Sequence, residues 1–238
     1  MALAPLTRCV IARWDRPRYE LLDSRGLVIG ALEGVGDIAG FAPSHDTLDV
    51  RFDDGRQVQV NLGGVTVIES VGSSDPLACR DVIAQVANKL GATEVTVTVV
   101  LQHLVEWAGE TDDLAATRQA ADVMVGVPGA TDCAILFDGD LDLDWKYQAE
   151  FGVVSAAETP ARLARSRGRS IGPTIDAFAE APASMFPLVS TFVDSYWMMQ
   201  RPLDVGLVED WEQVAAIDEH AARLVETLHT RLTNRRKG

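Results

Sequence analysis

The chain has 238 residues, 47% of them hydrophobic and 24% charged, with a formal net charge of −14. That composition supports a sizeable core and excludes a disordered chain; the acidic balance disfavours non-specific binding to nucleic acid or to an anionic membrane. Lysines are confined to Lys89, Lys146 and Lys237 beside many arginines, a usage that hints at a GC-rich bacterial genome.

The first 70 residues read as strands. Arg8–Trp14, Arg18–Leu22 and Gly26–Leu32 are short β-type runs, and Gly34 to Ser44 is expected as a loop. Thr47–Phe52 alternates apolar and polar residues into the Asp53-Asp54-Gly55 turn signal, and Gln57 to Leu62 alternates back. This predicts an antiparallel hairpin with one packed and one wet face. Asp75 as a cap, Pro76 at the first position and Gly91 past the end bracket a helix with the stripe Val82, Ile83, Val86 and Leu90. A strand is expected from Thr93 to Leu101, and a second helix from Asp112 to Val125.

Thr131–Phe137 then leads into Asp138-Gly139, read as a two-residue hairpin loop. Leu141, Leu143, Trp145, Tyr147, Ala149, Phe151 and Val153 alternate with Asp142, Asp144, Lys146, Gln148 and Glu150 along the returning strand. Leu48–Phe52 echoes Leu141–Trp145, which raises the idea of a duplicated unit. Beyond Ser155 the chain reads as helical: Thr159–Arg169, an apolar helix from Ser184 to Gln200, and a long last helix from about Leu207 to Asn234. The expectation is an α+β fold with antiparallel sheet built from hairpins, helices on one face and a helical C-terminal third. Residues 1–155 would form a mainly β part and 156–238 a helical region packed on it, the two together forming one domain or two.

No motif of specific chemistry appears. Asp138, Asp140, Asp142 and Asp144 follow strand alternation and lack the glycine and glutamate of a calcium loop. Gly30, Gly34, Gly36 and Gly40 are followed by Phe41-Ala42-Pro43 rather than a helix start, so they do not make a phosphate loop. His45, His103, His220 and His229 have no metal-ligand spacing, with His45-Asp46 in a loop and His103 at a core edge. Cys9, Cys79 and Cys133 read as buried thiols. No metal and no cofactor is expected.

Two clusters stand out. Arg162, Arg165, Arg167 and Arg169 concentrate guanidinium groups, three of them on one helical face, as an anion- or partner-binding candidate. Val214, Ile217, Ala221, Leu224 and Leu228 form a seam suited to packing or self-association. The expected function is a cytoplasmic, non-catalytic binding or protein-interaction protein, with itself, another protein or a small anionic ligand as partner and no membrane. The alternative is a cofactor-free enzyme or small-ligand carrier whose pocket lies between sheet and helices, lined by Trp145, Tyr147, Phe186 and Trp197.

Overall fold

A computed structural model describes residues 6–70, 78–107, 115, 119, 122, 124, 134–141, 144–162 and 182–236. The fold is α+β. Ten strands are described: β1 (Thr7–Trp14), β2 (Ile38–Pro43), β3 (Thr47–Phe52), β4 (Gln57–Asn61), β5 (Gly64–Ser70), β6 (Glu94–Glu106), β7 (Ala134–Asp140), β8 (Trp145–Ser155), β9 (Val189–Met199) and β10 (Leu203–Asp204). They form one antiparallel sheet in the order β2-β3-β4-β5-β1-β6-β9-β8-β7, with β10 paired to the start of β6. The helices are α1 (Leu21–Leu32), α2 (Ala78–Leu90) and α3 (Val208–Arg236). Among the described residues no helix is long and apolar enough to cross a membrane.

The expected hairpin at 47–62 forms. Gly55 takes φ 86° in its turn, and the Asp54 carboxylate accepts hydrogen bonds from the Arg56 backbone N–H and Nε. The next turn is tighter. Asn61 Oδ1 accepts from the Gly63 N–H, and Gly64 approaches β1 so closely that a Cβ would lie 2.3 Å from the Ala12 carbonyl oxygen. Helix α2 ends as its sequence directs. Gly91 adopts φ +66° and the Ala92 N–H bonds back to the Ala87 carbonyl, the closure that a left-handed C-terminal residue allows.

One core lies between the sheet and the three helices. Val10, Ala12, Val65, Val67, Val97 and Val99 from the central strands meet Leu21 and Val28 of α1, Val82, Ile83 and Val86 of α2, and Trp211, Val214 and Ile217 of α3. Further along α3, Val225 and Leu228 pack with Val193, and Leu232 with Trp107, Val153 and Val189. At about 25 cal/mol per Å² of apolar surface removed from water, this shared face is what holds the helices on the sheet.

Several expectations are corrected. Arg18–Leu22 and Gly26–Leu32 are not strands but contribute to α1, where Leu21, Val28 and Leu32 bury one face and Gly26 and Gly30 lie on open space. The span 34–44, expected as a loop, contains β2, an edge strand whose exposure and Pro43 hide the usual alternation. Strand β6 runs on to Glu106. Asp138-Gly139 is not a turn. Strand β7 passes straight through it, because Gly139 faces Tyr147 and a Cβ there would sit 2.6 Å from the phenol ring. Ser184–Gln200 is not a helix: a short helical turn at Ala183–Met185 precedes β9, so the C-terminal third carries two strands as well as α3. β9 is apolar on both faces because it is interior to the sheet, and its Val, Thr, Phe, Tyr and Trp residues suit extended backbone. The 112–125 helix falls mostly outside the described residues, although Ala115, Gln119, Asp122 and Met124 are helical.

The two halves follow one path. Val10 faces Val99 at the centre of the β1–β6 pair. A local two-fold axis there carries β1 onto β6, β3 onto β7 and β4 onto β8, with partners such as Val10 and Val99, Asp49 and Asp138, or Gln59 and Gln148 always 89 positions apart. Beyond the longer β8–β9 connection the spacing becomes 130, for Thr66 and Tyr196 as for the first residues of α2 and α3, Ala78 and Val208. The internal repeat is therefore visible in the register. The echo of Leu48–Phe52 in Leu141–Trp145 does not mark it, since the axis places Leu48–Phe52 on Phe137–Leu141.

Candidate functional site

Helices α1, α2 and α3 share one face of the sheet, and on β3 and β4 the opposite face carries the polar half of the strand pattern. Over β2, β3 and β4 this face forms an open groove of about 570 Å³. Its floor is two rows of side chains set by register. Gly40, Arg51 and Gln57 are cross-strand partners in one row, and Ala42, Asp49 and Gln59 in the next. The small residues lie on edge strand β2, the charged pair in the middle and the amides innermost. Gln59 Nε2 donates to Asp49 Oδ1 at 2.8 Å, which fixes both side chains. Arg51 is exposed and, among the described residues, makes no ion pair or hydrogen bond. Phe41 lies between Gly40 and Ala42 on β2, opposite Val50, and is exposed.

The arginine cluster is described only at Arg162. Arg165, Arg167 and Arg169 lie outside the described residues. The Arg162 guanidinium pairs with the Glu150 carboxylate and lies 4.1 Å from the centroid of the Phe192 ring, on the face opposite the helices. It is thus engaged by its own chain. The α3 seam is engaged likewise: Val214, Ile217, Ala221 and Leu228 are buried and Leu224 is half-buried against the sheet of the same chain. Of the residues assigned to an inner pocket, Trp145 and Trp197 are core side chains and Tyr147 stacks on Trp197 at 4.7 Å between ring centroids. Phe186 sits at the end of the short turn before β9.

His103 and Cys79 are sealed, while Cys9, His220 and His229 are half-buried and His45 is exposed. His103 is 1% exposed, not at a core edge, and neither ring nitrogen has a hydrogen-bond partner among the described residues; burial lowers its pKa to about 4. Burial pushes the Cys79 thiol up to about 12, leaving it protonated and inert. Cys9 is half-buried, and Cys133 lies outside the described residues. Thr191 accepts a 2.7 Å hydrogen bond from Trp107 Nε1 and lies 3.0 Å from His229 Nδ1. The indole can only donate, so Thr191 accepts from it, while the direction of the Thr191–His229 bond follows the imidazole tautomer. The hydroxyl is wholly buried, so this chain fastens α3 to β9 and is closed to substrate.

Charged residues elsewhere act as clasps. Arg8 of β1 lies 3.6 Å from Glu69 of β5 and 3.4 Å from Asp218 of α3. Arg201 donates to Asp144 at 3.2 Å and to Asp210 at 2.8 Å, joining the β7–β8 turn to the first turn of α3; this holds the Asp210 carboxyl below its ordinary range. Asp138 and Asp140 are exposed, Asp144 serves Arg201, and Asp142 lies outside the described residues. No group of three or more His, Cys, Asp or Glu side chains suited to a metal ion occurs among the described residues.

Comparison with models of known families and with curated proteins finds no match for this chain. Sequence reading reached the groove only indirectly. It assigned Asp49, Arg51, Gln57 and Gln59 to a wet strand face, but the small edge residues Gly40 and Ala42 that open the groove fell in a stretch expected to be a loop.

Proposed function

We propose that this protein is a non-catalytic binding protein that engages a partner polypeptide through the groove over β2, β3 and β4. The observation that carries the reading is the contrast between the two faces. One face is filled by α1, α2 and α3, with its histidine, thiol and hydroxyl groups sealed in a packed interior. The other offers a solvent-open trough with a polar, ordered floor. A catalytic reading calls for a reachable nucleophile or base, and the hydroxyl of Thr191, 3.0 Å from His229, is wholly buried. The rival ligand pocket between sheet and helices is disfavoured because Trp145 and Trp197, two of its four lining residues, are packed core. Acidic charge argues against nucleic acid as the partner, and a cytoplasmic location belongs to the same proposal.

The test is selection of a displayed peptide library on the immobilised chain, followed by transfer of the selected peptides to the Ala42→Trp variant. Ala42 is exposed in the edge strand, so the indole fills the groove without entering the core. Binding should fall at least tenfold. Selected peptides that bind the variant undiminished would place the interaction elsewhere and defeat the reading.

A further inference from the structure

The middle strand of the groove carries opposite charges on one face, Asp49 and Arg51, two residues apart. Side chains two apart on a strand are roughly 6.6–6.8 Å apart. They do not pair with each other. Asp49 is held by Gln59, and Arg51 has no partner among the described residues. An extended peptide has the same two-residue period as β3, so its side chains at i and i+2 fall opposite these two positions.

We propose that the groove recognises an extended peptide segment carrying an acidic and a basic side chain two residues apart, the carboxylate on Arg51 and the cation on Asp49. This rests on the reading of the groove as a partner-binding site and names the chemistry of the partner. Arg51 supplies the planar fork that matches a carboxylate in two hydrogen bonds. Asp49 keeps its second oxygen for a cation while Gln59 occupies the first. Gln57 and Gln59 each offer a donor and an acceptor to the peptide main chain, and Gly40 and Ala42 leave room for it at the sheet edge.

The repeat gives an internal contrast. The axis that carries Asp49 onto Asp138 and Gln59 onto Gln148 carries Arg51 onto Asp140 and Gln57 onto Lys146. The second half keeps the aspartate–glutamine pair but puts an acid where the first half has arginine. Its Lys146 stands directly across from Asp140, within reach of it. An opposite-charge pair along one strand, with small neighbours at its edge, belongs to the first half alone among these equivalent positions.

The experiment uses the full chain, isotopically labelled, and three ten-residue peptides in a Ser/Gly/Thr background: one with Glu and Lys two apart, one with two Glu, one with two Lys. Binding is read from chemical-shift changes of residues 38–61 at low salt. The wild type should prefer the mixed peptide by about fivefold, the upper range for an exposed charge pair. Arg51→Glu should shift the preference to the two-lysine peptide and Asp49→Lys to the two-glutamate peptide. Retained peak dispersion checks that each variant folds. An unchanged ranking across the variants would overturn the charge pairing. If none of the three peptides shifts these residues but library-selected peptides do, the pairing falls and the groove as a binding site stands. If neither set shifts them, both proposals fall.

Discussion

Replacing His103 with leucine should make the protein more stable and flatten its response to acid. The imidazole sits on β6 between Leu101 and Val105 on the helix-bearing face, with both nitrogens unpartnered among the described residues and its pKa lowered to about 4 by burial. In the unfolded chain the ring has its ordinary pKa near 6.5. Below that value the unfolded state takes up a proton that the folded state refuses, so stability is lost as pH falls from about 6.5 toward about 4. At about 1.4 kcal/mol per pH unit, the loss attributable to this ring reaches about 2–3 kcal/mol by pH 4.5. At pH 7 the leucine variant should already gain about 1 kcal/mol, because two buried polar atoms without partners are removed and an apolar side chain of similar volume is left. Urea unfolding of both proteins from pH 8 to 4.5 isolates the effect, since Asp218, which burial raises despite the Arg8 charge beside it, is present in both. A stability difference that stays constant across this range would refute the reasoning, and so would a variant less stable at pH 7.

Two further outcomes follow from the packing. Gly139→Ala should destabilise the protein by about 1–3 kcal/mol, because the added Cβ meets a Tyr147 ring already stacked on Trp197; in a Tyr147→Ala background the penalty should vanish, and simple additivity of the two changes in denaturant unfolding would count against the contact. Arg162→Gln should cost about 1–3 kcal/mol by leaving the half-buried Glu150 without its guanidinium and Phe192 without its cation; a double-mutant cycle with Glu150→Gln should recover part of that loss, and a zero coupling energy would show the pair to be inert.

The parts of the fold that were legible in the sequence are those where one local signal had one meaning. The Asp53-Asp54-Gly55 turn, the Gly91 helix stop and the stripe Val82, Ile83, Val86 and Leu90 each appear where expected. The failures share a cause: tertiary context reversed a local cue. Asp138-Gly139 carries the strongest short hairpin signal, yet the glycine is there to make room for a tyrosine on the neighbouring strand. The 189–199 segment is apolar all round, which fits a buried helix or an interior strand equally well; only its place between β6 and β8 decides. Arg18–Leu22 and Gly26–Leu32 read as short β-type runs parted at Gly26, while burial of Leu21, Val28 and Leu32 on the sheet selects the helix.

The candidate site was harder to find for a further reason. Its residues are ordinary one by one: an aspartate, an arginine and two glutamines on polar strand positions. What distinguishes them is the row each occupies, and a row is a property of register between strands, which alternation within one strand does not encode. The same register exposes the repeat, because a constant spacing of partners emerges only when pairings on both sides of the β1–β6 centre are followed together. Two halves with one path then diverge where function would separate them. The first half closes β4 to β5 with a tight turn, and among the described residues the outer face of β3 and β4 is the open floor of the groove. The second lengthens the equivalent connection between β8 and β9, and Arg162 from that connection lies across Glu150 and Phe192. In the second half that face carries Arg162 of the same chain, whereas among the described residues the equivalent face over β3 and β4 carries the groove.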